Sequence, residues 1–285
     1  MGSRRGVWTR ASIVLVAVAT AGVGWWGSGT GHAAPTWAPA ATAAVHPGVQ
    51  TVTTGSGQCT ANFIYSDATD VYIGQAAHCS STGAATDTNG CTAASLPIGT
   101  TVEVDGAAHA GTMVYNSWLT MQALGETDPD TCQYNDLALV RLDPADRAKV
   151  NPSVPHWGGP VALATTGTAQ GDKVFSYGNS SLRQGLTQLS PKTGISLGDD
   201  AGGWTHTVYT VTPGIPGDSG SAFLSKDGKA LGVLSTVAIA PLAGSNGVGD
   251  LPRELAYLHA HTAFTGVQLA PGTEPFTPNK LPLGI

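Results

Sequence analysis

The chain has 285 residues, a formal charge of −6 at neutral pH and only 11 % charged residues. Glu occurs four times, too rarely for the Glu/Lys/Leu faces of a coiled coil or helical bundle, and the acidic balance argues against nucleic acid, which needs a basic surface. With 38 Gly, 18 Pro and 41 % hydrophobic residues, alongside abundant Thr and Val, the composition fits an all-β protein with tight turns and a real core.

Arg4, Arg5 and Arg10 precede an uncharged apolar run from Ala11 to Trp26, followed by the small residues Ala33-Ala34. A basic stretch, a short apolar stretch and a small residue at the cut describe a secretory signal peptide over residues 1–34. The run is short for a spanning helix, so a secreted protein with no stable membrane association after cleavage is expected; an uncleaved anchor is the alternative. Ser3-Arg4-Arg5 partly resembles a twin-arginine signal, and both export routes stay open. Residues 1–34 hold three Arg and no acid, so their removal takes the formal charge from −6 to −9. Residues 35–48 are rich in Ala, Thr and Pro and read as a linker or short pro-segment.

Short β-like runs follow at a spacing of about ten residues, punctuated by Gly, Asn, Asp and Pro. The first series is Ala61–Tyr65, Val71–Gln75, Thr101–Val104, Gly111–Tyr115 and Leu137–Leu142. A Pro-rich stretch, Asp143–Pro160, resembles a linker between two β units. The second series is Lys173–Tyr177, Thr207–Thr212, Ser221–Leu224 and Ala230–Ile239, with Asp227-Gly228 supplying the positive φ of a hairpin turn. One helix is predicted, with Asp250 as N-cap, Pro252 in the first turn and Leu255 and Leu258 on its apolar face. After residue 270 comes a Pro/Gly-rich tail.

Cys59, Cys79, Cys91 and Cys132 form an even set in an exported chain and read as disulfides. Three pairings are open. The spacings contain no C-x2-C pair, so no metal site is expected.

Three strings carry chemistry. Gln75-Ala76-Ala77-His78-Cys79 ends a strand, Asn135-Asp136-Leu137-Ala138-Leu139-Val140 opens one, and Pro216-Gly217-Asp218-Ser219-Gly220-Ser221 is a turn leading into a third. A Ser hydroxyl needs a His to take its proton and a buried carboxylate to hold that His in the correct tautomer. Gly217 permits a turn in which the N–H groups of Gly217 and Ser219 converge on one spot, as an oxyanion hole requires.

In order and spacing these strings resemble the signatures of the chymotrypsin-like (trypsin-fold) serine proteases, in the form of the bacterial secreted members, over about residues 49–270. The resemblance implies two antiparallel six-stranded β-barrels, at 49–150 and at 151–270 with a C-terminal helix, and a tail from 271 to 285. It implies that Ser219 is the nucleophile, His78 the general base, Asp136 its orienting acid, and Gly217 and Ser219 the oxyanion donors. It also implies a Cys59–Cys79 bridge beside His78, which leaves Cys91–Cys132. No cofactor is implied; the partners are protein or peptide substrates, and a monomer is expected. An α/β-hydrolase or a subtilisin-like enzyme would order its triad differently. The rival reading is a non-catalytic or occluded protease scaffold that binds rather than cuts, against which a complete triad argues.

The chain departs from the family in three places. It lacks the activating cut before an Ile-Val-Gly-Gly-like start, reading His46-Pro47-Gly48-Val49-Gln50 instead, so Asp218 must find a partner other than a new amino terminus. The second barrel has no Cys. By family spacing, the floor of the S1 pocket falls on Pro213 and its wall on Ser235, Thr236 and Val237. Arg- and Lys-cleaving members place an Asp at the floor, and Glu-preferring bacterial members place a His where Leu234 stands. Small or medium apolar P1 residues are therefore expected; Asp199, Asp200 or an acid from another loop entering the pocket would reverse that preference.

Overall fold

The computed structural model describes residues 1–2, 35–84, 86–237 and 244–281, with Val237 described by its backbone alone. Apart from Met1 and Gly2, the expected signal peptide lies outside the described residues, as do residues 238–239 of the expected last strand and residues 282–285 of the tail.

The chain forms, in order, β1 (Gln50–Thr53), β2 (Gln58–Thr60), β3 (Ile64–Ser66), β4 (Val71–Ala76), β5 (Thr101–Val104), β6 (Gly111–Asn116), α1 (Ser117–Leu124), α2 (Pro129–Tyr134) and β7 (Leu137–Arg141). There follow β8 (Lys173–Tyr177), β9 (Pro191–Asp200), β10 (Thr205–Thr210), β11 (Ala222–Ser225), β12 (Ala230–Val237), β13 (Asn246–Asp250), α3 (Leu251–His261) and β14 (Gln268–Leu269). The first sheet runs β14-β3-β4-β7-β6-β5-β1-β2, a half-barrel of eight strands where a closed six-stranded barrel was expected, because the short β2 pairs outside β1 and the short β14 outside β3. The second closes into a six-stranded barrel, β10-β13-β12-β11-β8-β9. The architecture is the all-β, chymotrypsin-like one that the sequence implied.

Local chemistry explains the helices. Asn116 caps α1 by accepting from Trp118 N and Leu119 N, and Gly125 stops it at φ 67°. Trp118 and Met121, three apart on one face, are buried. Asp128 caps α2, with Pro129 in its first turn. In α3 Asp250 accepts from Arg253 N as the sequence predicts, and Leu255 and Leu258 face inward.

Among the described residues, three apolar clusters form the core. One lies in the first sheet around Ile64, Ile73, Val102, Met113 and Val140, and one in the closed barrel around Val174, Val208, Phe223 and Val248. The third joins the two sheets through Phe63, Tyr65, Leu137, Trp157, Phe175 and Leu255. The segments read as linkers are packed. Val45 is fully buried, Ala38 N donates to Val150 O at 2.8 Å, and Trp157 Nε1 donates to Ser176 O at 2.7 Å. In the tail, Phe276 packs against Phe175 with ring centroids 5.2 Å apart.

His206 is an internal brace. The ring is fully buried on β10, with Nδ1 2.7 Å from Asp199 Oδ1 on β9 and Nε2 3.0 Å from Asp250 Oδ2 at the α3 cap. A neutral imidazole donates from only one nitrogen, so two carboxylates call for the imidazolium. Burial opposes that charge, but the hydrogen bonds and charges of Asp250 and Asp199 outweigh it and raise the pKa. A raised folded-state pKa gives stability that is fully present below the unfolded value and lost as pH rises through the folded one. Thermal melts of the protein and of His206→Gln should show a wild-type advantage at pH 6 that shrinks towards pH 9. An advantage that grows with pH would contradict a charged His206.

Candidate active site

His78 stands in a 3-10 turn, Ala77–Ser80, directly after β4, and Asp136 stands directly before β7. Antiparallel pairing of β4 with β7 in the register Ala76↔Leu137 brings them side by side. Ala77 N donates to Asp136 O at 2.9 Å. Asp136 Oδ1 accepts from His78 N at 2.9 Å, and Oδ2 lies 2.7 Å from His78 Nδ1. A carboxylate only accepts, so the proton sits on Nδ1 and Nε2 is left as the basic nitrogen. Oδ2 also accepts from Ser235 Oγ at 2.6 Å. Ser235, expected as pocket wall, thus holds Asp136. Asp136 is 2 % exposed and the His78 side chain 25 %. Burial pulls the His78 pKa down, but the Asp136 charge and hydrogen bond more than offset it, leaving it raised.

The Ser219 turn packs against β2, β4 and β12. Thr60 N donates to Ser219 O at 2.8 Å, and Gly220 N donates to Leu234 O at 2.7 Å. Gly220 has φ +87°, and a Cβ there would stand 2.5 Å from Thr60 O and 2.9 Å from Ala76 N, so backbone meets backbone. Gly217 has φ +93°, and a Cβ would meet Gln58 Oε1 at 2.4 Å. Its carbonyl accepts from Gln58 Nε2 at 3.0 Å and Thr60 Oγ1 at 2.8 Å. Among the described residues, the N–H groups of Gly217 and Ser219 donate to no protein acceptor. Ser219, His78, Gly217, Ser235 and Thr236 line one cleft of about 820 Å³. No hydrogen bond joins Ser219 to His78 among the described residues; such contacts tighten when substrate binds.

Residues 59–233, more than half of the chain, match the trypsin-like peptidase domain. The chain belongs to the trypsin-like peptidase family. The fold is similar to that of Thermobifida fusca protease A, at 19 % identity over 81 % of this chain and 100 % of that one, with a TM-score of 0.50. It is also similar to that of a glutamic-acid-specific serine protease whose description gives a histidine triad in substrate binding, at 17 % identity over 79 % and 100 %, again with a TM-score of 0.50. No curated protein matches the chain.

This trypsin-like peptidase gives Asp218 two cations in place of an amino terminus. Asp218 is fully buried and takes both Arg183 Nη1 and Arg183 Nη2, the latter at 2.6 Å, and Lys192 Nζ at 2.8 Å. Burial raises the Asp218 pKa, and the Arg183 and Lys192 contacts overcome this to leave it lowered. Lys192 Nζ also donates to Thr212 O at 3.2 Å and Pro213 O at 2.9 Å. Sequence reading missed both cations, since a lone Lys in a strand and a lone Arg in a loop ordinarily face water.

Around the expected S1 pocket, Gly214, Ile215 and Pro216 line the cleft, while Pro213 does not appear among the described lining residues. Val237 pairs with Asn246 through the backbone, and its side chain lies outside the description. Asp199 is engaged with His206 and Thr168, and Asp200 accepts from Ala201 N. Neither lines the cleft; among the described residues, the acid that does is Asp87, on the loop after His78.

Both disulfides form as the resemblance implied, Cys59–Cys79 with Cα atoms 6.1 Å apart and Cys91–Cys132 at 5.1 Å. The first ties β2 to the His78 turn, and the second ties the following loop to α2. Losing either should cost roughly 3–4 kcal/mol by chain entropy. Non-reducing peptide mapping should recover these two pairs, and a Cys79–Cys91 peptide or a free thiol would refute them.

Proposed function

We propose that this peptidase is an exported serine endopeptidase acting through Ser219, His78 and Asp136. The observation that carries the reading is the Asp136 carboxylate, which fixes His78 by two hydrogen bonds in the cleft lined by Ser219. Ser219 Oγ attacks the scissile carbonyl carbon and its proton passes to His78 Nε2. The oxyanion is held by Gly217 N and Ser219 N. Collapse breaks the C–N bond, and the leaving amine takes the proton from His78. Water then attacks the acyl ester with His78 as base, releasing the acid and restoring Ser219. Asp136 stays ionised and stabilises the imidazolium.

The test is labelling of the folded, processed protein by a fluorophosphonate, followed by peptide mapping. A label on Ser219 that is lost in His78→Ala supports the mechanism. No label on a folded wild-type protein favours the rival, a scaffold that binds without cutting.

For P1 we propose small or medium apolar residues, such as Ala, Val or Leu. The support is electrostatic. Among the described residues, the acid in the cleft lining is Asp87, on the loop after His78 rather than on the Gly214–Pro216 segment, and the Lys192 ammonium stands against the Thr212 and Pro213 carbonyls. A P1 cation there would meet the net positive charge of one carboxylate, Asp218, held by two cations, Arg183 and Lys192. Chromogenic peptides differing only at P1 should be cut faster after Ala, Val or Leu than after Arg or Lys; the reverse order would show an acid in the pocket.

A further inference from the structure

Glu254 is the buried acid that the proposed mechanism does not use. It lies on the first turns of α3, fully buried, where a surface acid would merely favour the helix dipole. Its Oε1 accepts from Asp136 N at 3.0 Å. Its Oε2 has no hydrogen-bond partner among the described residues. A Cβ on Gly249 would stand 2.7 Å from Oε1 and 3.0 Å from Tyr134 O, so β13 is stripped to glycine where it passes this carboxyl. The ionisable groups facing it are Asp136, Asp250, Tyr65 and Tyr115. None is a cation.

An ionised carboxylate in that surrounding would be desolvated, half unpartnered and beside two other acids. Burial, together with the Asp136 and Asp250 charges, pushes the carboxyl well above its ordinary value, against the one hydrogen bond that lowers it. We propose that Glu254 is a positioning residue for the triad acid: a neutral carboxylic acid whose Oε1 fixes the Asp136 main chain while placing no charge behind the Asp136–His78 pair. The proposal rests on the triad reading above. Asp136 receives its other restraints through Ala77, His78 and Ser235. Glu254 anchors it to α3, and so couples the first sheet's acid to the helix that closes the chain's second half.

The neutral state has a consequence at a distance. The acid limb of a kcat/KM–pH profile reports His78. A negative charge on Glu254 would add to Asp136 and raise that limb's pKa, whereas a neutral group leaves it alone. The experiment compares wild-type protein, Glu254→Gln and Glu254→Met for kcat, KM and pH profile, with near-UV circular dichroism as a check of fold. Wild-type turnover and a fluorophosphonate label on Ser219 establish the triad independently, so their absence tests that reading and not this one. Glu254→Gln keeps an acceptor oxygen and no charge, and its kcat/KM and acid limb are expected within about twofold and 0.2 pH units of wild type, the scatter allowed for a change well under 1 kcal/mol. Glu254→Met fills the space without an acceptor, and kcat should fall about tenfold with KM unchanged, as one hydrogen bond to the Asp136 main chain is lost. An acid limb that drops in Glu254→Gln would show a charged Glu254 and overturn the proposal. So would wild-type kcat in Glu254→Met. Should Glu254→Met fail to fold, the comparison of Glu254→Gln with wild type decides alone.

Discussion

Ser219→Ala is expected to remove essentially all peptide hydrolysis while leaving the fold intact. In the proposed mechanism its hydroxyl supplies the attacking atom, and its loss creates no cavity in the core, because Ser219 lies on the cleft wall. His78→Ala should be as severe, since members of a triad act as a unit and losing either typically costs about a millionfold in kcat. The residue of activity should come from binding and from the Gly217 and Ser219 N–H groups, which neither change touches. The two variants differ in stability. Ser219→Ala should melt with wild type, whereas His78→Ala removes the imidazole from the Asp136 Oδ2 carboxylate oxygen and leaves it with Ser235 alone. Single-turnover assays on a chromogenic ester and peptide check the rates, and near-normal activity in either variant would sink the triad.

Much of this site was readable because its chemistry is local. The strings around His78 and Asp136 place candidate side chains at strand ends, the string around Ser219 places one in the turn before a strand, and the β4–β7 register brings the first two together. The α3 boundary was readable because Asp250 and Pro252 carry the cap in a few consecutive residues. What escaped the reading depends on distant contacts. β9 was missed because Gly194 and Gly198 look like turn punctuation. Gly194 is instead a close approach, where a Cβ would stand 1.8 Å from Tyr209 O, and Gly198, at φ +109°, sits where the β9–β10 register shifts. β13 hides for a similar reason: Gly247 and Gly249 give room to Thr236 Oγ1 and Glu254 Oε1. α1 carried a legible Asn116 cap and Gly125 stop, yet eight residues in a β-rich chain make a weak periodic signal. Burial of Lys192, Arg183 and Glu254 has no local signature, because each is decided by a carboxylate or an amide far away in sequence.

Replacing Asp218 by Asn is expected to be the most damaging change that leaves the triad side chains in place. Asp218 is enclosed, and the two cations that face it are themselves buried, with Arg183 6 % and Lys192 1 % exposed. An amide cannot neutralise them, so two desolvated cations would face each other across a neutral group. Breaking even one buried pair typically costs about 3–5 kcal/mol. The same carboxylate organises the backbone next to the nucleophile: Oδ1 accepts from Ser180 N at 3.1 Å and Oδ2 from Ile215 N at 3.2 Å. Loosening that turn moves the Gly217 and Ser219 N–H groups, and one lost oxyanion donor costs about 100–1000-fold in rate. The cations should rank unequally. Arg183→Met removes a two-pronged grip and leaves Asp218 with Lys192 alone. Lys192→Met leaves the Arg183–Asp218 pair formally neutral and spares the burial of an ammonium whose pKa is already lowered by desolvation. Its main loss is the donor to Thr212 O and Pro213 O, so it should alter P1 discrimination more than stability. Urea unfolding midpoints and fluorophosphonate rates on the three variants check the order, with Asp218→Asn worst, Arg183→Met next and Lys192→Met mildest. An Arg183→Met protein with the wild-type midpoint and labelling rate would mean that Lys192 alone holds the turn, and that Arg183 is not what replaces the amino terminus in this chain.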